Sequence, residues 1–215
     1  MSRFLHNLYA KCSSMALGLE EEYFSKTLKD LDLCTLRLLH YPPCSEHHMT
    51  PTSTSRKGDE ESNRCAIRVG EHTDFGIFTF LLVYNFEDES SLGLQIKQPG
   101  SGSGSSGEWK TISFDRETID LIHKDETVAL LVNTGALLAR WTNDVWTATA
   151  HRVIVTPEAY SSHRYSIAMF LDPDKDTICS VHDSFVPEGE DPKYEDIKSI
   201  DYLLMKLREA QGVQS

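Results

Sequence analysis

A chain of 215 residues, 40% apolar and 25% charged, suits one domain with a sizeable core and has the composition of an ordinary globular protein. Its formal charge of −12 argues against a protein that tracks nucleic-acid phosphates, which needs a basic stripe. No apolar run approaches the roughly 20 residues that cross a bilayer, MSRFLHNLYAKC carries no secretory signal, and five cysteines without CxxC spacing argue against a disulfide framework.

The expectation is a reducing, cytoplasmic compartment with no nucleic-acid or membrane partner. Leu5, Leu8, Cys12, Met15, Ala16 and Leu19 recur at helical spacing, so an amphipathic helix opens the chain, and LEEEYFSKTL predicts a second short one. CTLRLLHYPPC (34–44) predicts a strand stopped by Pro42 and Pro43. Residues 45–64 predict a polar surface loop whose His47 and His48 are solvated rather than a second metal site. IFTFLLVYNF (77–86) has the content of a buried strand, and EDES (87–90) reads as a solvated turn. GLQIKQ and EWKTISF predict short strands around the flexible PGSGSGSSG loop (99–107). TVALLVNTGALLARWT predicts a strand and a turn, and VWTATAHRVIVT and HRYSIAMFLDP predict a hairpin around Pro157. SIDYLLMKLREAQG closes the chain as a helix with Ile200, Leu203, Leu204 and Leu207 on one face.

Strands bunched between helices, rather than alternating with them, argue against a doubly wound sheet. They predict a mainly β architecture with flanking helices, a double-sheet jelly roll. The expected organisation is a single domain over 1–215, with a helical flank (1–33), a jelly-roll core (34–172) and a C-terminal segment with a helix (173–215).

The chemistry starts in GEHTDFGIF (70–78). Side chains at i and i+2 of an extended chain point to the same side, so His72 and Asp74 can converge on one object. In WTATAHRVIV the alternation puts Thr147, Thr149, His151, Val153 and Val155 on one face. Alone, His151 reads as a satisfied core histidine. With His72 and Asp74 it completes two imidazoles and one carboxylate, the facial triad of non-haem Fe(II) oxygenases. Three protein ligands leave open positions for a co-substrate and O2, and a single carboxylate keeps the site cationic enough to hold an anionic chelator. In HRYSIAMF, Arg164 and Ser166 share a face with Ala168 and Phe170. A buried arginine is costly unless paired, and no acid lies on that face. A bound carboxylate would match its planar fork, with Ser166 adding a hydroxyl donor; the alternative is an arginine at the barrel rim that reaches solvent or a distant acid. Trp141 and Trp146 read as core rather than pocket mouth. Cys44 has no neighbouring acid or base to make it a nucleophile.

GEHTDFGIFTFLL, GLQIK, GEWKTI, ARWTNDVWTATAHRVI and RYSIAMFLDP, with LRLLHYPP and SSMALGLEEEYF upstream, follow the order found in one family. The chain resembles the isopenicillin N synthase-like 2-oxoglutarate/Fe(II)-dependent dioxygenases from about Leu5 to its last helix. The resemblance implies a double-stranded β-helix, with His72, Asp74 and His151 as iron ligands. It implies that Arg164 and Ser166 bind the distal carboxylate of 2-oxoglutarate, with Tyr41 of the family's Tyr-Pro motif as a further contact. The expected reaction oxidises a small organic substrate, by hydroxylation first of all, consuming O2 and releasing succinate and CO2, with ascorbate as a reductant.

Several positions depart from the family pattern. Leu39-His40-Tyr41-Pro42 replaces the usual Asn-x-Tyr-Pro, so an amide near the co-substrate is missing. Ala136 stands where an aspartate often follows N-x-G. The chain is also expected to lack the family's N-terminal segment, which helps wall the substrate pocket. Three alternatives remain: a 2-oxoglutarate-independent Fe(II) oxidase of the same fold, a non-catalytic binding protein that keeps the ligands, and a zinc hydrolase, which leaves Arg164 and Ser166 unexplained. Substrate identity and oligomeric state are not readable from the sequence.

Overall fold

The computed structural model describes residues 2–43, 66–83, 93–98, 107–114, 120, 129–155 and 163–212. The loop with His47 and His48, Cys44, EDES, residues 99–106 and the turn at Pro157 lie outside the described residues.

The opening helix, α1 (Ser2–Ala16), ends on a glycine. Gly18 takes a left-handed φ of 72°, and the amides of Gly18 and Leu19 donate to the carbonyls of Met15 and Ser14. That pair of bonds is a Schellman stop, which closes the helix on its own last turn. The buried face of α1 differs from the expected one: His6, Ala10, Ser13 and Ser14 are buried, whereas Leu8 and Met15 are exposed. Small residues on the inner face let the helix sit close to the sheet, where Tyr9 meets Phe80 edge-on with ring centroids 5.0 Å apart. The buried Ser14 hydroxyl donates to Ala10 O and accepts from Phe24 N, so a polar core position ties the helix to the segment after it. That segment holds a short 3-10 turn (Ser25–Thr27) in place of the expected second helix.

Strands β1 (Thr35–Tyr41), β2 (Ala66–His72), β3 (Phe78–Val83), β4 (Leu94–Gln98), β5 (Glu108–Thr111) and β6 (Ala129–Thr134) follow. Helix α2 (Ala136–Trp141) stands where a turn was expected. Strands β7 (His151–Val155) and β8 (Arg164–Leu171) complete two antiparallel four-stranded sheets, ordered β1-β8-β3-β6 and β2-β7-β4-β5. This is the double-sheet jelly roll. A small β9 (Ile178–Cys179) and β10 (Ile197–Lys198) pair precedes helix α3 (Ser199–Ala210).

β7 and β8 do not form the expected hairpin. β7 pairs with β2 and β4 while β8 pairs with β1 and β3, so the chain changes sheet between them. Alternation along each strand was legible, but partner choice is set by long-range closure of the two sheets. In α3 the core side is Ser199 and Tyr202, with Met205 packed beside them, and Leu204 is exposed. One large aromatic, not the leucine row, sets that helix's rotation.

The apolar cluster joins α1, α2, α3 and the face of β3 carrying Phe78 and Phe80, and it includes Phe24 and Trp141, whose rings meet at 5.1 Å. The opposite, interior faces carry smaller side chains: Val153, Val155, Ser166 and Ala168 are buried there, while their neighbours Tyr165 and Ile167 face out. Bulk is thus placed outside the roll and space inside it.

Candidate metal centre

Two strand ends meet at the site. β2 finishes at His72, β7 begins at His151, and these two residues are directly paired in the ladder between the two strands. The Nδ1 of His72 bonds to Gly70 O at 2.8 Å and the Nδ1 of His151 bonds to Thr149 O at 3.0 Å. A carbonyl only accepts, so each Nδ1 carries a proton, and the neutral form of each ring has its lone pair on Nε2. Both Nε2 atoms face the carboxylate of Asp74, His72 at 3.8 Å from Oδ1 and His151 at 3.8 Å from Oδ2. These distances exceed a hydrogen bond. With neutral imidazoles these are acceptor atoms facing a carboxylate, an arrangement that a cation relieves.

The ligand atoms of His72, Asp74 and His151 all lie within 4.8 Å of one another. Donor atoms sharing one first-row ion stand about 3–4 Å apart at bond lengths near 2.1 Å. Two imidazoles and one carboxylate on one side suit Fe(II) with open positions. The residues fit the ion that the sequence pattern implies.

The support behind Asp74 is built from backbone. After Thr73 the chain runs through Asp74, Phe75 and Gly76, whose carbonyls accept from the amides at the start of α2: Ala136 to Asp74 O at 2.8 Å and Leu137 to Phe75 O at 2.9 Å. The amides of Gly135 and Ile77 bond to Ile77 O and Leu171 O, each at 3.0 Å. A side chain on Gly135 would strike the Gly76 carbonyl, and one on Gly76 would meet Leu171 O at 2.7 Å. These two glycines permit a close approach of backbones. Asn133, on β6, donates from Nδ2 to Asp74 Oδ2 at 2.8 Å and fixes the buried carboxylate's orientation.

The Asp172 carboxylate packs against Gly76, its Oδ1 2.8 Å from where a side chain on that glycine would begin. Burial, with the Asp74 charge adding to it, raises its carboxyl to about 6.

Arg164, Ser166 and Tyr41 come together on the interior faces of β1 and β8. Tyr41 is paired across the ladder with Arg164, and the guanidinium lies 5.2 Å from the phenol ring centroid. Ser166 is buried two residues on, on the same face. Burial presses the Arg164 guanidinium below its ordinary value; the Tyr41 oxygen opposes this and the charge of Arg68 adds to it. Leu39, in the place of the family's asparagine, is paired with Ser166.

Three residues were not singled out from the sequence. Asn133 had a signal, a lone amide in the apolar run ALLVNT, but nothing local says what it bonds. Asp172 follows an apolar strand and gave only the LDP stretch. Arg68 lies in a strand whose regular alternation is broken.

A jelly roll carrying a two-histidine, one-carboxylate cluster at its strand ends defines a non-haem iron oxygenase architecture. Residues 33–173 match the 2OG-Fe(II) oxygenase superfamily, and the chain belongs to that superfamily. The narrower isopenicillin N synthase-like resemblance is met at this superfamily level. A 2-oxoglutarate-Fe(II) type oxidoreductase of Metarhizium rileyi is 35% identical over 183 residues, covering 82% of this chain and 43% of that protein. A second, from Emericella nidulans, is 30% identical over 199 residues, covering 93% of this chain and 46% of that protein. The crystal structure of a full-length Neurospora crassa protein in complex with alpha-KG superposes with a TM-score of 0.70 at 29% identity, over 96% of this chain and 54% of that one. The chain thus spans about half the length of the curated relatives it matches.

Proposed function

We propose that this chain is the catalytic domain of a 2-oxoglutarate- and Fe(II)-dependent dioxygenase that hydroxylates a small organic substrate, using O2 and releasing succinate and CO2. His72, Asp74 and His151 hold Fe(II). Arg164, Ser166 and Tyr41 hold the distal carboxylate of 2-oxoglutarate. The single domain extends over 1–215, with its jelly-roll core at 34–172.

The observation that carries this reading is the orientation of the three ligand groups: both Nδ1 atoms are committed to carbonyls, and both Nε2 atoms face one buried carboxylate. Bound Fe(II) supplies the redox chemistry that couples decarboxylation of 2-oxoglutarate to oxidation of a C–H bond. The protein's part is geometry and charge. Gly70 O and Thr149 O keep both imidazoles in the ligating tautomer. Asn133 holds Asp74 and leaves its remaining lone pairs for the ion. Arg164 presents a fixed fork that selects a carboxylate, and Ser166 adds one donor. Val153, Val155 and Ala168 line the interior with apolar surface and keep water off the reacting groups.

Among the described residues no helix is long and apolar enough to cross a membrane. A cytoplasmic location is part of the proposal and is supported by the free thiols of Cys12, Cys34 and Cys179. Nucleic-acid and membrane partners are left out of it, the first on the −12 charge; ascorbate serves as a reductant.

The test is an anaerobic titration with Fe(II) and 2-oxoglutarate, followed by the visible metal-to-ligand charge-transfer band. A band that saturates with 2-oxoglutarate is the expected result. Iron binding without a band favours the 2-oxoglutarate-independent oxidase, and binding of neither favours a non-catalytic protein.

A further inference from the structure

β2 is not a regular strand. Its ladder with β7 runs Ile67 to Ile154, then Val69 to Val153, then His72 to His151, so β2 gains one residue on β7 at each of two steps. The first extra residue is Arg68. A bulge places two residues of one strand opposite a single partner and re-aims a side chain, and bulges are concentrated beside active sites. Alternation from exposed Ile67 puts Arg68 on the inner face, and the bulge keeps the next residue, Val69, opposite buried Val153.

The consequence is visible across the roll. Arg68 belongs to the β2-β7-β4-β5 sheet, yet its guanidinium lies 5.9 Å from the ring centroid of Tyr41, in the opposite sheet. Arg164 lies 5.2 Å from the same centroid. Two guanidinium groups from two sheets therefore converge on one phenol ring. Like charges brought together in a partly buried wall repel, and burial has already moved Arg164 in the same direction. An anion between them removes that cost. A carboxylate has about four lone-pair sites; the Arg164 fork takes two and Ser166 one, which leaves a site for a further donor.

Resting on the dioxygenase reading above, we propose that Arg68 is a second cationic ligand of the 2-oxoglutarate distal carboxylate, closing a two-arginine clamp around Tyr41. The strand that ends in His72 would thus serve both ends of the co-substrate. With its bulges, the stretch from Arg68 to His72 lies opposite only Val153 to His151 of β7, a span of roughly 7–10 Å at about 3.3 Å per residue that two inward side chains and an extended five-carbon dicarboxylate bridge. The clamp makes the site selective for a 2-oxo dicarboxylate over a 2-oxo monocarboxylate.

The experiment is an anaerobic titration of the Fe(II)-loaded chain with 2-oxoglutarate and, separately, with 2-oxobutyrate, which keeps the chelating end and lacks the distal carboxylate. Wild type, Arg68→Met and Arg68→Lys are compared by the charge-transfer band. The expected result is a tenfold or greater loss of 2-oxoglutarate affinity in Arg68→Met, partial recovery in Arg68→Lys, and no change for 2-oxobutyrate. Unchanged 2-oxoglutarate affinity in Arg68→Met overturns the proposal. So does an equal loss for both ligands, which marks a structural role for Arg68. Should Arg68→Met fail to fold, Arg68→Gln, which keeps donors but not the charge, is read by the same criteria. A wild-type chain that binds iron and gives no band with 2-oxoglutarate overturns the dioxygenase reading itself; a wild-type band with no Arg68 effect overturns the clamp alone.

Discussion

The two ends of the site are built in opposite ways. At the metal end, His72 is the last residue of its strand, Asp74 lies beyond it and His151 is the first of another, so all three stand where regular pairing stops. At the arginine end, Tyr41 and Arg164 are the last pair of a β1–β8 ladder that runs without a register shift, and Ser166 lies inside it. The metal end needs freedom to point three side chains from two chain segments at one object, and it recovers rigidity from Asn133 and the amides of α2. The arginine end inherits its geometry from strand register. One end is held by bespoke hydrogen bonds and the other by repetition, so they should fail differently when a residue is changed.

The sharpest contrast is Asp74→Ala. It removes the one carboxylate of the proposed ligand set and should abolish iron binding and the charge-transfer band together, while the melting temperature of the metal-free chain changes little. Arg164→Ala should do the reverse: iron still binds, but 2-oxoglutarate affinity falls by about thirtyfold or more, because truncating one side of a buried charged pair costs about 2–5 kcal/mol. Finding that Arg164→Ala also loses iron would dissolve the distinction between the two ends. Asn133→Leu should weaken iron binding about 10- to 100-fold, the usual effect of losing a group that orients a ligand, and leave the 2-oxobutyrate to 2-oxoglutarate affinity ratio unaltered.

The smallest effect is one of pH. The folded chain holds the Asp172 carboxyl at about 6, above the ordinary carboxylate value near 3.9 in the unfolded chain. Between those values the folded state binds more protons, so stability of the metal-free protein falls as pH rises through this window. Asp172→Asn removes that slope and should gain on the order of 1–2 kcal/mol relative to wild type at pH 7.5 compared with pH 4.5. Thermal melts at the two pH values read it directly, and parallel pH curves for the two proteins would refute it.

The same contrast governs what could be read in advance. Tyr165 and Ile167 out, Ser166 and Ala168 in, is a period of two that any window of β8 displays, and the structure keeps it. His72, Asp74 and His151 were legible because histidine and aspartate are conspicuous inside apolar runs, and the structure brings them together. The bulges in β2 were not legible, since an extra residue is defined only against a partner strand some eighty positions away. The β7–β8 hairpin was misjudged for the same reason: nearness in sequence stood in for pairing. Helix α2 took the place of a turn because its first amides are satisfied by carbonyls of the Asp74 loop, a stabilisation no local propensity contains. The rotation of α1 was missed because its inner face is Ala10, Ser13 and Ser14, chosen for closeness rather than greasiness.

The bonds from Ala136 and Leu137 to the Asp74 loop have one more implication. They attach the loop to a helix whose Leu137, Leu138 and Trp141 are buried in the core. The conformational entropy of arranging Asp74 is therefore lost when the chain folds, not when a ligand arrives. Ions should meet a preorganised seat, and their binding should register as mass-action stabilisation that grows with the logarithm of free ion concentration, with no accompanying change in secondary structure.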